Sequence, residues 1–562
     1  MELTKQIGTL PTPTKRSPFV KIIRDFAFIV LLILAQSHER ANPKLGDTNI
    51  DFYTNDLKQE FKKELYSADF NQSPLSFEDS LLKQAVKDVY NTKNLLPLWS
   101  VNFKTNDKYE QLKNLIGSSA YFGLSCANYQ LDAIDSIGEK MSKSDDDAIN
   151  IKNRSDFEFE ATYSYILFAL NISRGINCLD AKQATLEDFN YLVSTLIEIY
   201  SSDDIYNAVL NLQPKALQYV NLQKALANYI NKVDLNTELQ KISCKSTNEE
   251  LTAFFKNYWS LNDSLCAEPD FVENSITDFQ QMHGLKADGK LNRRTVQAMN
   301  TPKMYRYYQA ALNLDRLRKN QINTSNSIYV NIPEYKLHIL NNNKVVKQHD
   351  VVVGNPKTPT PVLESNINKI VANPYWVVPK SIAFNEIIPR IKRDSTFLKR
   401  NGYEVVDNYL NPVDVSAIDW NTVNEFNFDY WFRQNKGRGN ALGLVKFLFP
   451  NDYSVYLHDT PSKNKFKYDI RAYSHGCVRV KNPEELAEYV ISNFYIKEKD
   501  NVKEIIRKKI HKEYDLDVEI PVYLKYITCS ADEKGNIIFL TDIYGKDNKE
   551  ISMLFPDFQQ PV

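Results

Sequence analysis

Tyr453-Ser454-Val455-Tyr456-Leu457-His458-Asp459-Thr460 is followed, after a polar loop, by Ser474-His475-Gly476-Cys477-Val478-Arg479-Val480. The first run reads as a strand that ends at His458, which sets the imidazole on a rigid edge. The second holds Cys477 nineteen residues further on (477 − 458 = 19), so the loop can fold thiol and imidazole together. A cysteine is a nucleophile only as an accessible thiolate, and a nearby imidazole takes its proton or lowers its pKa. Gly476 allows a tight turn whose backbone N–H groups, with Ser474, are candidates for an oxyanion site. Beyond Val480, Asn482-Pro483-Glu484-Glu485 caps a helix through Phe494 and leaves Cys477 on a short connector between strand and helix. These are the parts of an acyl-transfer site.

The rest of the chain bounds that reading. Its 562 residues suggest three or four domains, and the net charge of −1 with only short basic runs argues against nucleic acid as a partner. With 33 Tyr, 29 Phe and only 16 Gly, ordered helices and sheets are favoured over low-complexity linkers. Near the start, Lys15, Arg16, Lys21 and Arg24 precede an apolar run at 26–35, and Ala35-Gln36-Ser37 offers a small-x-small cleavage site. Residues 1–37 therefore read as a signal peptide or membrane anchor, the chain's membrane contact. Of six cysteines, Cys126, Cys178, Cys244, Cys266, Cys477 and Cys529, a catalytic Cys477 stays free and leaves five. No disulfide framework is expected, although Cys244 and Cys266 can bridge in an oxidising compartment.

Taken in order, 38–250 reads as a mainly helical scaffold, with apolar residues three and four apart in Leu81 to Tyr90, Tyr109 to Ile116, Tyr163 to Ile172 and Leu186 to Tyr200. Trp99 is a core anchor on this reading. Between 251 and 302 two short helices are separated by Gly284 and Asp288-Gly289, with Asn292 at a position that tolerates a left-handed turn. A connecting helix over 303–326 carries Tyr308 and Leu312 on one side and Arg306, Arg316, Arg318 and Lys319 elsewhere. From 327 to 562 the pattern is strand-rich, interrupted at about 380–436 by helical and polar sequence, the length of a lid. The fold class expected is multi-domain α+β.

The motif set resembles the L,D-transpeptidases. It includes Asn440-Ala441-Leu442-Gly443, Tyr456-Leu457-His458-Asp459-Thr460-Pro461, Arg471-Ala472 and Ser474-His475-Gly476-Cys477-Val478-Arg479, and it looks like the large branch of that family. Leu96-Pro97-Leu98-Trp99 is similar to that branch's scaffold, and Phe279-Gln280-Gln281 through Met299-Asn300 to a small helical peptidoglycan-binding domain. The resemblance implies a YkuD-like catalytic domain with a capping lid, Cys477 as nucleophile and His458 as base and then acid. It implies that the Asp459 backbone carbonyl orients His458, and that His475 and Gly476 shape the loop and oxyanion site. Ser474, Tyr456, Arg471, Asn440 and Arg479 are the implied substrate-binding residues; Arg479 can pair a substrate carboxylate or hold the loop by an ion pair. No metal or cofactor is expected. Partners are peptidoglycan stem peptides and envelope cell-wall synthesis proteins, in the periplasm of a Gram-negative-type envelope. The expected reaction is 3→3 cross-linking, with L,D-carboxypeptidase action or D-amino-acid exchange as alternatives at the same cysteine, and with acylation by carbapenems. A zinc-dependent wall peptidase and a non-catalytic wall-binding protein are the rival classes.

Overall fold

The computed structural model describes residues 54–65, 77–177, 186–202, 204–320, 325–342, 344–494, 501–555 and 558. The apolar run at 26–35 and Cys178 lie outside them. No helix among the described residues is long and apolar enough to cross a membrane. Cys244 and Cys266, like the other described cysteines, are free thiols.

A helical N-terminal half precedes a β-rich C-terminal half. The helical half is built around the 28-residue helix Asp147–Arg174, capped by Asp146, whose side chain accepts from the Ala148 N–H. Phe157, Ala161, Ile166, Phe168, Ala169 and Ile172 are all fully buried, so this helix is covered on most of its circumference rather than along one stripe. Its neighbours include Phe77–Thr92, Asp107–Gly117, Leu131–Lys140 and Leu186–Tyr200. Trp99 is fully buried, edge-on to Tyr165 and Tyr200. Beside it Glu158, itself without solvent contact, accepts from the backbone N–H of Leu98 at 2.6 Å and of Trp99 at 3.1 Å, from Ser100 Oγ at 2.6 Å and from the Tyr90 hydroxyl at 2.9 Å. Burial pushes this carboxyl's pKa up and the four donors oppose that, which is how a buried acid becomes a hub instead of a defect.

Helices Asn248–Tyr258, Phe271–Met282 and Arg293–Met299 enclose a small core of Phe254, Phe255, Tyr258, Phe279 and Met299. Gln280 is fully buried and pins the turn: its amide oxygen accepts from the N–H of Asp288 and Gly289, and its nitrogen donates to Lys290 O. Asn292 differs from expectation. Its φ is −136°, and it caps the next helix by accepting from the N–H of Arg294 and Thr295. The connecting helix Lys303–Lys319 is likewise not a bare joint. Ala310, Ala311 and Leu314 are fully buried, and Arg318, expected away from the apolar side, is 1% exposed and donates to Phe122 O, Ile172 O and the Tyr219 hydroxyl.

The C-terminal half contains β1 (Asn326–Asn331), β2 (Lys336–Asn341), β3 (Lys344–Gly354), β4 (Leu363–Ala372), β5 (Val445–Leu448), β6 (Leu457–His458), β7 (Ala472–Ser474), β8 (Val478–Val480) and β9 (Lys512–Lys525). They form one sheet in the order β7-β3-β8-β6-β5-β4-β9-β1-β2, and β2 also pairs with β3, so the sheet closes on itself. Helix Pro483–Phe494 packs on it through Leu486, Ala487 and Val490. The final stretch does not simply add strands: the hairpin of Cys529–Ala531 and Ile537–Phe539 stands apart and packs on helix Leu217–Lys232 and the connecting helix.

Between β4 and β5 the chain leaves the sheet and builds a subdomain with its own core of Val378, Ile387, Ile391, Val405, Phe428 and Phe432. Polar and helical sequence was expected here, yet the subdomain also has a three-stranded antiparallel sheet of Trp376–Val377, Tyr403–Val406 and Trp431–Gln434. Short strands of two and four residues carry too little periodicity to be read from sequence.

Removing the Glu158 carboxylate strands three buried donors, the N–H groups of Leu98 and Trp99 and the Ser100 hydroxyl, while Tyr90 keeps Glu158 O and Thr162 Oγ1. Glu158→Ala should cost about 3 kcal/mol, lower the thermal midpoint, and speed amide hydrogen exchange at 98–100 and along Asp147–Arg174 while the sheet exchanges as before.

Candidate active site

β6 and β8 run parallel, with Leu457 opposite Val478 and His458 opposite Arg479. Side chains alternate faces along a strand, so Leu457 and Val478, both fully buried, point into the core. Tyr456, His458, Cys477 and Arg479 therefore share the other face as a two-by-two array. The Val478 N–H donates to Tyr456 O at 3.1 Å and carries the pairing up to Cys477. Tyr456 and His458 rings meet edge to face at 5.6 Å. The Tyr456 hydroxyl lies within hydrogen-bonding reach of the Cys477 sulfur, where it lowers the thiol's pKa, and of Trp376 from the inserted subdomain.

The loop before Cys477 is held from inside. Gly476 has φ +114°, a conformation that L side chains rarely adopt. Ser474 Oγ donates to Cys477 O at 2.5 Å and accepts from the Gly476 N–H at 3.2 Å. Thr360, fully buried, donates from its hydroxyl to Gly476 O at 2.7 Å and accepts there from the Gly354 N–H at 2.8 Å. Asn355 donates to Ser474 O from both its backbone and its side chain. Thr360 and Asn355 escaped the sequence reading. The turn residues Gly354-Asn355-Pro356 after β3 were the signal for them.

Electrostatically the array is a neutral acid–base pair beside a cation. Burial, and next the Arg479 guanidinium, push His458 down to about 3, so the imidazole is unprotonated at neutral pH. Burial raises the Cys477 thiol above its ordinary range, with Arg479 and Tyr456 pulling the other way. The residue as a whole keeps partial solvent contact. His458 Nδ1 is buried without a partner of full hydrogen-bond geometry, though the Asp459 backbone lies near enough to favour the protonated ring. Arg479 forms no ion pair among the described residues, and its buried Nε is unpartnered.

Other expected site residues are committed within the protein. The Asp459 carboxylate accepts from the Leu444 N–H at 2.9 Å and pairs with Lys463, so it faces away from the work of orienting His458. Gly443, at φ +61°, is required there because a Cβ would overlap that carboxyl. Ser474 is 1% exposed and fully used by the loop. Arg471 donates to the carbonyls of Val351, Tyr335 and Tyr468. Asn440, also 1% exposed, donates to the carbonyls of Pro374, Gln434 and Asn435 and accepts from the Leu442 N–H, tying together the two crossings by which the subdomain leaves the sheet. Ser474, Arg471 and Asn440 thus give these hydrogen bonds to backbone carbonyls of the protein itself. His475 is exposed, and its Nε2 sits 2.9 Å from Glu386 Oε1 of the inserted subdomain. Among the described residues no three metal-ligating side chains gather in one group.

The family described as the L,D-transpeptidase catalytic domain, YkuD, matches residues 325–503. The Scaffold domain family matches 84–226, and the "Putative peptidoglycan binding domain" family matches 270–299. A Haemophilus influenzae protein named "Putative L,D-transpeptidase" is 34% identical over 295 residues. That match covers 51% of this chain and 59% of the relative, so the chain spans little more than half of it. The solved structure of an L,D-transpeptidase (Yku) from Stackebrandtia nassauensis is 12% identical, covers 52% of this chain and 96% of its own, and has a TM-score of 0.20.

With a neutral imidazole there is no thiolate–imidazolium pair at rest. Alkylation of Cys477 by iodoacetamide should therefore climb with pH into the alkaline range without a plateau below neutrality. Arg479→Gln removes the cation that favours the thiolate and should slow alkylation at pH 7 roughly tenfold. A plateau in acid, or faster alkylation of that variant, would contradict the assignment.

Proposed function

We propose that this chain, which carries a scaffold domain, a peptidoglycan-binding domain and an L,D-transpeptidase catalytic domain in one polypeptide, cross-links peptidoglycan stem peptides through a thioester on Cys477. The observation that carries the reading is the array on β6 and β8, with a neutral base, a partly accessible thiol and a cation on one face. His458 takes the Cys477 proton as sulfur attacks the peptide carbonyl, then gives it to the leaving amine. Arg479 steadies the thiolate as it forms, with Tyr456 beside it also favouring the ionised sulfur. The Gly476–Cys477 turn supplies the backbone for the oxyanion, with Ser474 and Thr360 fixing its shape. Asp459 acts through its backbone beside His458.

On this reading the donor is a tetrapeptide stem that loses its fourth residue, and the acceptor is the side-chain amine of the third residue of a neighbouring stem. The product is a 3→3 cross-link. Water in place of the amine gives L,D-carboxypeptidase action, and a free D-amino acid gives exchange. Carbapenems acylate the same sulfur. The substrate places the protein outside the cytoplasm, in a periplasm, with residues 1–37 as its export signal or anchor and envelope cell-wall synthesis proteins as its partners. The inserted subdomain serves as a lid, since Trp376 and Glu386 reach Tyr456 and His475 on either side of Cys477.

Incubation with disaccharide tetrapeptide, followed by mass spectrometry, tests the reaction. A dimer lighter by one alanine than two donors is expected, absent with Cys477→Ala and reduced at least a hundredfold with His458→Gln. Tripeptide without dimer would replace the proposal with carboxypeptidase action, and turnover by Cys477→Ala would overturn it.

A further inference from the structure

The contact between His475 and Glu386 joins two parts of the molecule that meet over the nucleophile. His475 stands two residues before Cys477 on the loop that Ser474 and Thr360 hold rigid. Glu386 lies in the helical segment Ala383–Ile387 of the inserted subdomain, a turn of the wide π type, and Arg390 one turn on approaches its other carboxylate oxygen at 3.5 Å. Oε1 is left to His475 Nε2 at 2.9 Å. The imidazole is about half exposed, unlike His458, which is 5% exposed. A carboxylate on one ring nitrogen fixes which nitrogen carries the proton and leaves the other with its lone pair, the arrangement by which an imidazole serves as a general base. Glu386 thus takes His475 Nε2 and leaves Nδ1 as the other ring nitrogen, on a side chain about half exposed where His458 is buried.

The reaction proposed above has one proton that His458 does not account for. An acceptor amine arrives as an ammonium and cannot attack until it is deprotonated. His458 has by then returned the thiol's proton to the first leaving amine, but it is buried on the array and carries an Arg479 cation beside it, which disfavours approach by a second cation. Glu386 presents the opposite field, a carboxylate that His475 Nε2 meets at 2.9 Å.

We propose that His475, held by Glu386, is the base that deprotonates the acceptor ammonium and so directs the thioester to an amine. This rests on the thioester reading above. The ammonium gives its proton to His475 Nδ1, and its lone pair attacks the thioester carbonyl. The C–N bond forms and the C–S bond breaks. The second N–H proton passes through His458 to the departing Cys477 sulfur, and His475 releases its proton to solvent. The sum is thioester plus ammonium giving amide, thiol and one proton. His475 is catalytic in this step; Glu386 is a positioning residue that acts through it.

The test separates this base from a merely structural latch. Cys477 is first acylated with disaccharide tetrapeptide, seen by intact mass, and the thioester's decay is then followed with two acceptors. One is a D-amino acid, an ammonium at neutral pH; the other is hydroxylamine, already unprotonated there. Glu386→Gln and His475→Asn should each slow decay with the D-amino acid roughly tenfold or more, raise the share of hydrolysis, and leave decay with hydroxylamine within about twofold of the parent. Equal loss with both acceptors, or no loss with either, overturns the assignment while leaving the Cys477 thioester intact. A parent protein that never acquires the acyl mass overturns both together.

Discussion

Parallel pairing of Leu457–His458 with Val478–Val480 is the constraint on which the site depends. In a parallel register the residues directly opposite each other share a face, and those two apart on each strand share it again. Four chemically distinct groups from segments about twenty residues apart are therefore aligned by backbone alone. The core pays for nothing extra: Leu457 and Val478 point inward, fully buried, and hold the register that sets the functional face outward. A slip of either strand by one residue would turn its share of the array, Tyr456 with His458 or Cys477 with Arg479, toward the core and turn Leu457 or Val478 out, which the apolar core forbids.

The site balances burial against charge. Burial keeps His458 neutral and raises the Cys477 thiol, so the resting pair carries no net charge in a low-dielectric position. Arg479 then favours any negative charge that forms at sulfur, at the cost of disfavouring a proton on His458. Rigidity comes from elsewhere. Ser474, Thr360 and Asn355 spend their hydrogen bonds on the loop, and Asn440 and Gly443 fix the root of the subdomain and the Asp459 carboxylate. Such supports determine where the side chains of the array stand.

Much of this was legible in the sequence, for identifiable reasons. The Gly476-Cys477 turn encodes local geometry, so its positive φ could be read directly, whereas the strand expected from Tyr453 shortens to Leu457–His458 because Ser454 adopts φ +53°. Long helices with strong periodicity, such as Leu186–Tyr200, were equally visible. Roles that depend on tertiary partners were not. Arg471, Asn440 and Ser474 have the chemistry of ligand contacts, and only the fold shows their donors consumed by backbone carbonyls. Arg318 was expected off the apolar side of its helix and is a buried three-way strut. Thr360 lies 117 residues from Cys477 in sequence (477 − 360 = 117), a separation across which no local pattern speaks. The pairing of His475 with Glu386 was hidden for the same reason.

The central claim is that Cys477 itself becomes acylated. Rapid quenching of the protein with tetrapeptide donor, followed by proteolysis and peptide mapping, addresses it most directly. The account predicts the mass of the donor less its fourth residue on the peptide containing Cys477, forming before product and released by nucleophiles that cleave thioesters, such as hydroxylamine. Product formed while that peptide stays unmodified, or an acyl mass found on another residue, would contradict it.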